Sequence, residues 1–267
     1  MELKNILIIL GIIIFLYVLI GFFIYIFQGK LLYHPGANNY LDDASLNHKI
    51  KKIYIPSDQK LVAWYFKKNP KYKTLLFFHG NAGKIDNRIY KLNEFSKLNV
   101  NYLIFAYRGF SGNEGDPSEK GLYKDARAVK YWLNLNNIQD NEIVLYGESL
   151  GTAVAVDLAK EFSFSGIILE SPFTSMAKLA KKHYPYLPVK FLLKDRYETI
   201  KKLNEITSPI LVMHGAKDNI VPFDMGVKVY ENANNPKFNY FTEMDDHMMN
   251  YDDKLVNEIE IFINSLN

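Results

Sequence analysis

The chain has 267 residues, 48% hydrophobic and 23% charged, with a net charge of +3 and no cysteine. That length suits one large α/β domain and requires no second core. The small net charge and the lack of a dense Lys/Arg block argue against a nucleic-acid partner, while the absence of cysteine excludes disulfides, thiolate metal sites and a cysteine nucleophile.

Residues 6–27 carry no charge and are nearly all Ile, Leu, Val, Phe or Tyr. As a helix they span about 33 Å, enough for a hydrocarbon core of about 30 Å. Phe22, Phe23, Tyr25 and Phe27 gather at the C-terminal end, where aromatic rings favour the interface. A cleaved signal peptide is the alternative, but its apolar core is shorter and no small-x-small cleavage site follows. The pattern predicts a single-pass membrane anchor over residues 1–29. Lys4 and Lys30 flank it on either side, so charge does not set its orientation. A polar connector over residues 30–48 follows, with the turn pairs Pro35-Gly36 and Asn38-Asn39. As flexible chain it would reach on the order of 25 Å and hold the following domain near the bilayer.

Strand-like runs at 50–55 and 61–66, separated by Pro56-Ser57-Asp58, predict an antiparallel pair at one edge of a sheet. Alternation then sets in. Strand-like runs at 74–78, 100–107, 143–146, 165–169, 210–213 and 238–241 interleave with helical patterns at 88–98, 118–133, 149–160, 175–182, 224–231 and 254–263. Such a chain, here residues 49–267, folds as a mostly parallel sheet with helices on both faces. Ligands bind such sheets at the carboxyl ends of the strands. Residues 172–208 depart from the alternation with Tyr184-Pro185-Tyr186-Leu187-Pro188 and Phe191-Leu192-Leu193. They read either as a small lid with an apolar underside or as a proline-bent helix packed on the sheet.

Gly147-Glu148-Ser149-Leu150-Gly151 reads G-x-S-x-G, with an apolar run before it and an alanine-rich helical pattern after it. A tight strand-to-helix turn projects the serine Oγ above the sheet edge, and flanking glycines keep side chains off the neighbouring backbones. His79-Gly80-Asn81-Ala82-Gly83 follows the 74–78 run. Its backbone N–H groups, with that of Leu150, would make a two-donor oxyanion hole, unless the loop is an ordinary glycine turn. Asp218 follows the 210–213 run, where it either orients an imidazole or caps the next helix. His247 follows the 238–241 run, as a general base or as a solvated surface histidine. The order Ser…Asp…His, each after a successive strand, favours the chemical reading.

Further stretches carry a likeness: Tyr33-His34-Pro35, Phe78-His79-Gly80-Asn81-Ala82-Gly83, Tyr107-Arg108-Gly109-Phe110-Ser111-Gly112, Gly115-Asp116-Pro117-Ser118-Glu119-Lys120-Gly121, Glu170-Ser171-Pro172-Phe173-Thr174-Ser175 and His214-Gly215 through Pro222. Together with the elbow, and over essentially the whole chain, they resemble the small membrane-anchored α/β-hydrolase-domain proteins, related to serine aminopeptidase-like hydrolases. The resemblance implies the α/β-hydrolase fold, Ser149, Asp218 and His247 as the triad, and Leu150 with Asn81 or Ala82 as oxyanion donors. Family members are esterases, thioesterases or peptidases, so the resemblance leaves the substrate open.

Rival residues lose on position. Glu170 also follows a strand and is the other candidate for the triad acid. His79 and His214 read as loop-orienting, His34, His48 and His183 lie away from strand ends, and Arg108 reads as a structural ion pair rather than a carboxylate binder. No two histidines have metal-ligand spacing and no G-x-x-x-x-G-K-[ST] run occurs, so neither metal nor cofactor is expected. The expectation is a membrane-anchored serine hydrolase acting on a small-molecule or lipid-linked acyl ester or thioester. A peptidase would need carboxylates for a free amine, and the 172–208 segment shows no obvious acidic pair beyond Asp195 and Glu198; a non-enzymatic scaffold would have no use for the triad.

Overall fold

The computed structural model describes residues 3–36 and 42–266. Eight strands form one sheet: β1 (Lys51–Pro56), β2 (Lys60–Phe66), β3 (Thr74–Phe78), β4 (Asn101–Phe105), β5 (Ile143–Glu148), β6 (Gly166–Glu170), β7 (Ile210–Gly215) and β8 (Lys237–Thr242). Their order is β1-β2-β4-β3-β5-β6-β7-β8. Only β2 runs antiparallel to its neighbours, and the β1–β2 pair sits at one edge, as the two runs joined by a short turn predict. Every residue of β3, β4, β5, β6 and β7 is buried. Because alternate residues point to opposite faces, both faces must be covered. The cover comes from α2 (Ile89–Lys97), α3 (Glu119–Leu135), α4 (Leu150–Ala159), α7 (Phe223–Asn232) and α8 (Asp253–Asn264). The fold is the α/β class anticipated from the alternation.

The chain leaves β3 for β4 on one side and later returns to β5 on the other, which opens a crevice at the carboxyl ends of β3 and β5. In the β5–β6 register Glu148 lies opposite Glu170, so two carboxylates emerge side by side at that end. Two short helices, α5 (Met176–His183) and α6 (Val189–Leu192), occupy the segment that breaks the alternation.

The N-terminal helix α1, Leu3–Leu32, is long and apolar enough to cross a membrane. Nearly all of it is exposed; Gln28 is its one buried residue. Here the structure corrects the sequence reading. The helix runs past residue 29 into the expected connector, and Tyr33 is buried immediately after it. His34–Pro35 then pairs in parallel with Ala82–Gly83. What reads as a flexible tether is a docked segment up to Gly36, because Leu32 and Tyr33 continue the apolar pattern and pack against the domain core. Asn38-Asn39 lies outside the described residues.

Candidate active site

Ser149 adopts φ 52° and ψ −114°, a left-handed conformation that few non-glycine residues occupy. The turn is this tight because backbones crowd it. A Cβ at Gly151 would lie 2.0 Å from the Phe78 carbonyl oxygen, and one at Gly147 would lie 2.6 Å from Thr152 Cα. Ser149 N–H donates to the Glu170 carbonyl at 2.9 Å, continuing the sheet ladder into the elbow. Leu150 opens α4, so its N–H has no carbonyl within the helix to bond.

Two loops carry the other residues of the predicted triad and are stitched together. Ala216 N–H donates to Thr242 O at 2.7 Å and Lys217 N–H to Asp245 O at 3.0 Å. Asp218 Oδ1 accepts the N–H groups of Ile220 and Val221, both at 2.8 Å, which rigidifies its loop. The helix after it starts from Pro222, so Asp218 is not its cap. Asp218 Oδ2 accepts from His247 Nδ1 at 2.7 Å and from His214 Nε2 at 3.0 Å. Burial works against the Asp218 charge, but the hydrogen bonds from His214, His247 and Val221 outweigh it and hold the carboxyl well below the usual range. A carboxylate there requires the His247 proton on Nδ1. That leaves Nε2 to accept, and it stands 3.0 Å from Ser149 Oγ.

Sequence reasoning missed one support and under-read another. Ser171 Oγ donates to the His247 carbonyl at 3.0 Å and so fixes the histidine loop from the end of β6. Its sign in the sequence is position alone, directly after a strand. His214 acts on its loop as anticipated, and more specifically, by also donating to Asp218.

Glu170 belongs elsewhere. Its carboxylate is fully buried and accepts from Lys91 Nζ at 2.8 and 2.7 Å, from Tyr146 Oη at 2.5 Å and from Tyr251 Oη at 2.8 Å. Lys91 also reaches Glu148 at 2.7 Å, and Arg88 reaches the other Glu148 oxygen at 2.7 Å. Burial opposes both charges of the Lys91–Glu148 pair, yet their partners keep Lys91 above and Glu148 below the ordinary values. Glu148 Oε1 further accepts Gly80 N–H at 3.2 Å, which couples the elbow to the loop after β3. Two cations balance two carboxylates beneath Ser149. Lys91→Met leaves buried Glu170 with no cation and Glu148 with Arg88 alone, and is expected to cost about 3–5 kcal/mol of stability. Urea unfolding of the detergent-solubilised chain measures it. A loss below about 0.5 kcal/mol, the range of ordinary surface changes, contradicts a tightly paired quartet.

The loop after β3 lies against the serine, since a Cβ at Gly80 would come 3.6 Å from Ser149 Cβ. Asn81 faces two ways: its carbonyl accepts His34 N–H at 2.9 Å and its side-chain amide donates to Leu32 O at 2.8 Å. Ala82 is paired with His34. His79 is fully buried between Gly80 O and Tyr107 N–H, and burial and the Arg88 charge push its pKa down to about 3, so it stays neutral. Arg108 is taken up by Asp125 at 2.6 Å and Asp58 at 2.9 Å, a structural pair. His48 bonds Tyr102 and His183 bonds the Ile220 carbonyl. Among the described residues no cluster of His, Asp and Glu is suited to a metal ion.

Comparison with known proteins matches residues 119–260, more than half of the chain, to the prolyl oligopeptidase family. The chain belongs to that family, within the α/β-hydrolase superfamily. An uncharacterized protein of Mycobacterium tuberculosis is 36% identical over 220 residues, covering 80% of this chain and 78% of that one. A lysophosphatidylserine lipase of Danio rerio is 34% identical over 191 residues, 64% of this chain and 50% of the lipase. The solved esterase Pf2001 of Pyrococcus furiosus superposes with a TM-score of 0.72 at 19% identity, covering 88% of this α/β-hydrolase and 99% of the esterase, a likeness of fold. The chain is a hydrolase by family, and its N-terminal helix is a membrane-span candidate.

Proposed function

We propose that this α/β-hydrolase is a membrane-anchored serine hydrolase that cleaves a carboxylic ester or thioester through an acyl-enzyme on Ser149. The observation that carries the reading is the relay Ser149 Oγ to His247 Nε2 at 3.0 Å and His247 Nδ1 to Asp218 at 2.7 Å. His247 takes the serine proton as Oγ attacks the carbonyl carbon and returns it to the leaving oxygen or sulfur. Water, deprotonated by the same imidazole, then releases the acid. Asp218 holds the tautomer. The N–H of Leu150, with that of Asn81 or Ala82, receives the oxyanion. Residues 1–29 anchor the chain, and residues 49–267 form the hydrolase domain with a lid within 172–208.

The aminopeptidase alternative lacks a free acidic pair at the lid. Asp195 accepts from Tyr33 Oη at 2.9 Å and Glu119 N–H at 3.1 Å, and Glu198 pairs with Lys201 at 3.3 Å. The test is labelling by a fluorophosphonate followed by turnover of ester, thioester and aminoacyl substrates. Labelling with ester or thioester turnover is expected. Absence of labelling overturns the serine mechanism, and a preference for aminoacyl substrates promotes the peptidase.

A further inference from the structure

We propose that helix α1 is a wall of the substrate site and not merely its anchor, forming with the lid a pocket for a long fatty-acyl chain drawn from the membrane leaflet. This rests on the serine-hydrolase reading above and adds where the acyl group lodges. The cavity has a volume of about 530 Å³ and is lined by Ile24 and Leu31 of α1, Leu179 of α5, and Leu187 and Leu193 beside α6. Asn81, next to the Gly80 that abuts Ser149, also lines it, so one wall of the pocket belongs to the loop beside the serine. At roughly 30 Å³ per carbon-sized group, a water's share of the liquid, it has room for on the order of 15 methylenes. The lining is predominantly hydrocarbon, which suits an acyl tail.

The seat of α1 on the lid is specific. Gln28 donates through Nε2 to the Leu192 carbonyl at 3.0 Å and accepts through Oε1 from Lys194 N–H at 2.7 Å. Tyr17 Oη donates to the Tyr186 carbonyl at 2.8 Å, and the Lys194 ammonium lies 4.2 Å from the Tyr25 ring centre. Tyr33 Oη, just beyond the helix, bonds Asp195 and, at 2.7 Å, Tyr197 Oη. These contacts run from residue 17 to residue 33 and all join α1, or the residue after it, to the 186–197 segment. The opposite side of α1, including Phe23 and Ile26, is exposed apolar surface suited to lipid. A chain from the leaflet can therefore pass alongside α1 into the cavity without crossing water.

The test uses the full chain in lipid nanodiscs and a series of acyl thioesters from butyryl to palmitoyl, with fluorophosphonate labelling of Ser149 run in parallel. Ile24→Trp and Leu31→Trp fill the pocket from the helix side and are expected to lower the palmitoyl-to-butyryl ratio of kcat/KM at least tenfold. Phe23→Trp, on the lipid-facing side of the same turn, should leave that ratio within twofold of wild type. Wild-type labelling without any change of ratio in Ile24→Trp and Leu31→Trp overturns the wall while leaving the serine mechanism in place. No wild-type labelling removes the mechanism itself. Should the tryptophan variants misfold, Ser149→Ala with a palmitoyl thioester carrying a terminal diazirine gives the same answer. Crosslinks in residues 24–32 support the pocket, and crosslinks that leave α1 untouched refute it.

Discussion

Ser149→Ala is expected to remove ester and thioester hydrolysis and all labelling by a fluorophosphonate. Removing a triad nucleophile costs on the order of 10⁶ in kcat, with a residual 10³–10⁴ over water from oxyanion binding. The fold should survive, since the Ser149 hydroxyl bonds only the His247 ring and the substitution deletes a single oxygen. Circular-dichroism melting within a few degrees of wild type would establish that the loss is chemical. An alanine protein that still turns over substrate at more than a small fraction of the wild-type rate means the nucleophile lies elsewhere.

Asp218→Asn is expected to slow acylation by about 10⁴. The asparagine carbonyl can still accept the Ile220 and Val221 N–H groups, which now lie 2.8 Å from Oδ1, so the loop should hold its shape. Its amide then faces His247 and His214, both of which donate to Asp218 in the native chain. Donor against donor forces His247 to move its proton to Nε2, where it can no longer take one from Ser149. Glu170→Gln makes the contrast. Glu170 touches Lys91, Tyr146 and Tyr251 and has no contact with His247, so its replacement should cost stability and leave acylation within about tenfold. Single-turnover acylation rates on both variants decide between them, and a reversal of the two effects would make Glu170 the acid.

The site residues were legible because each follows a short apolar run, and a parallel sheet brings the carboxyl ends of its strands to one side. Knowing which runs are strands is then enough to gather Ser149, Asp218 and His247. The supports beneath them were not legible. Arg88 and Lys91 sit on an amphipathic stretch, where a charge reads as solvated surface; both are buried because Glu148 and Glu170 arrive from strands 57 and 79 residues from Lys91. The docking of α1 was equally hidden. Gln28 meets the lid 164 residues away, and an apolar helix with one glutamine looks the same whether that glutamine is pinned or sits in the interface. Polar, turn-forming composition reads as a flexible connector, yet α1 continues to Leu32 and Tyr33 and His34 are fastened to the domain.

The backbone at Ser149 has one further consequence. A side chain held in that left-handed region costs of order 1–3 kcal/mol, and glycine would occupy it at far less cost. The elbow is thus a point where reactivity and durability pull in opposite directions. Among small substitutions at residue 149, the inert glycine is favoured by the backbone, and under the proposed mechanism serine offsets that strain through its hydroxyl. In a protein maintained purely for its shape, drift from serine to glycine at that position would relieve the strain.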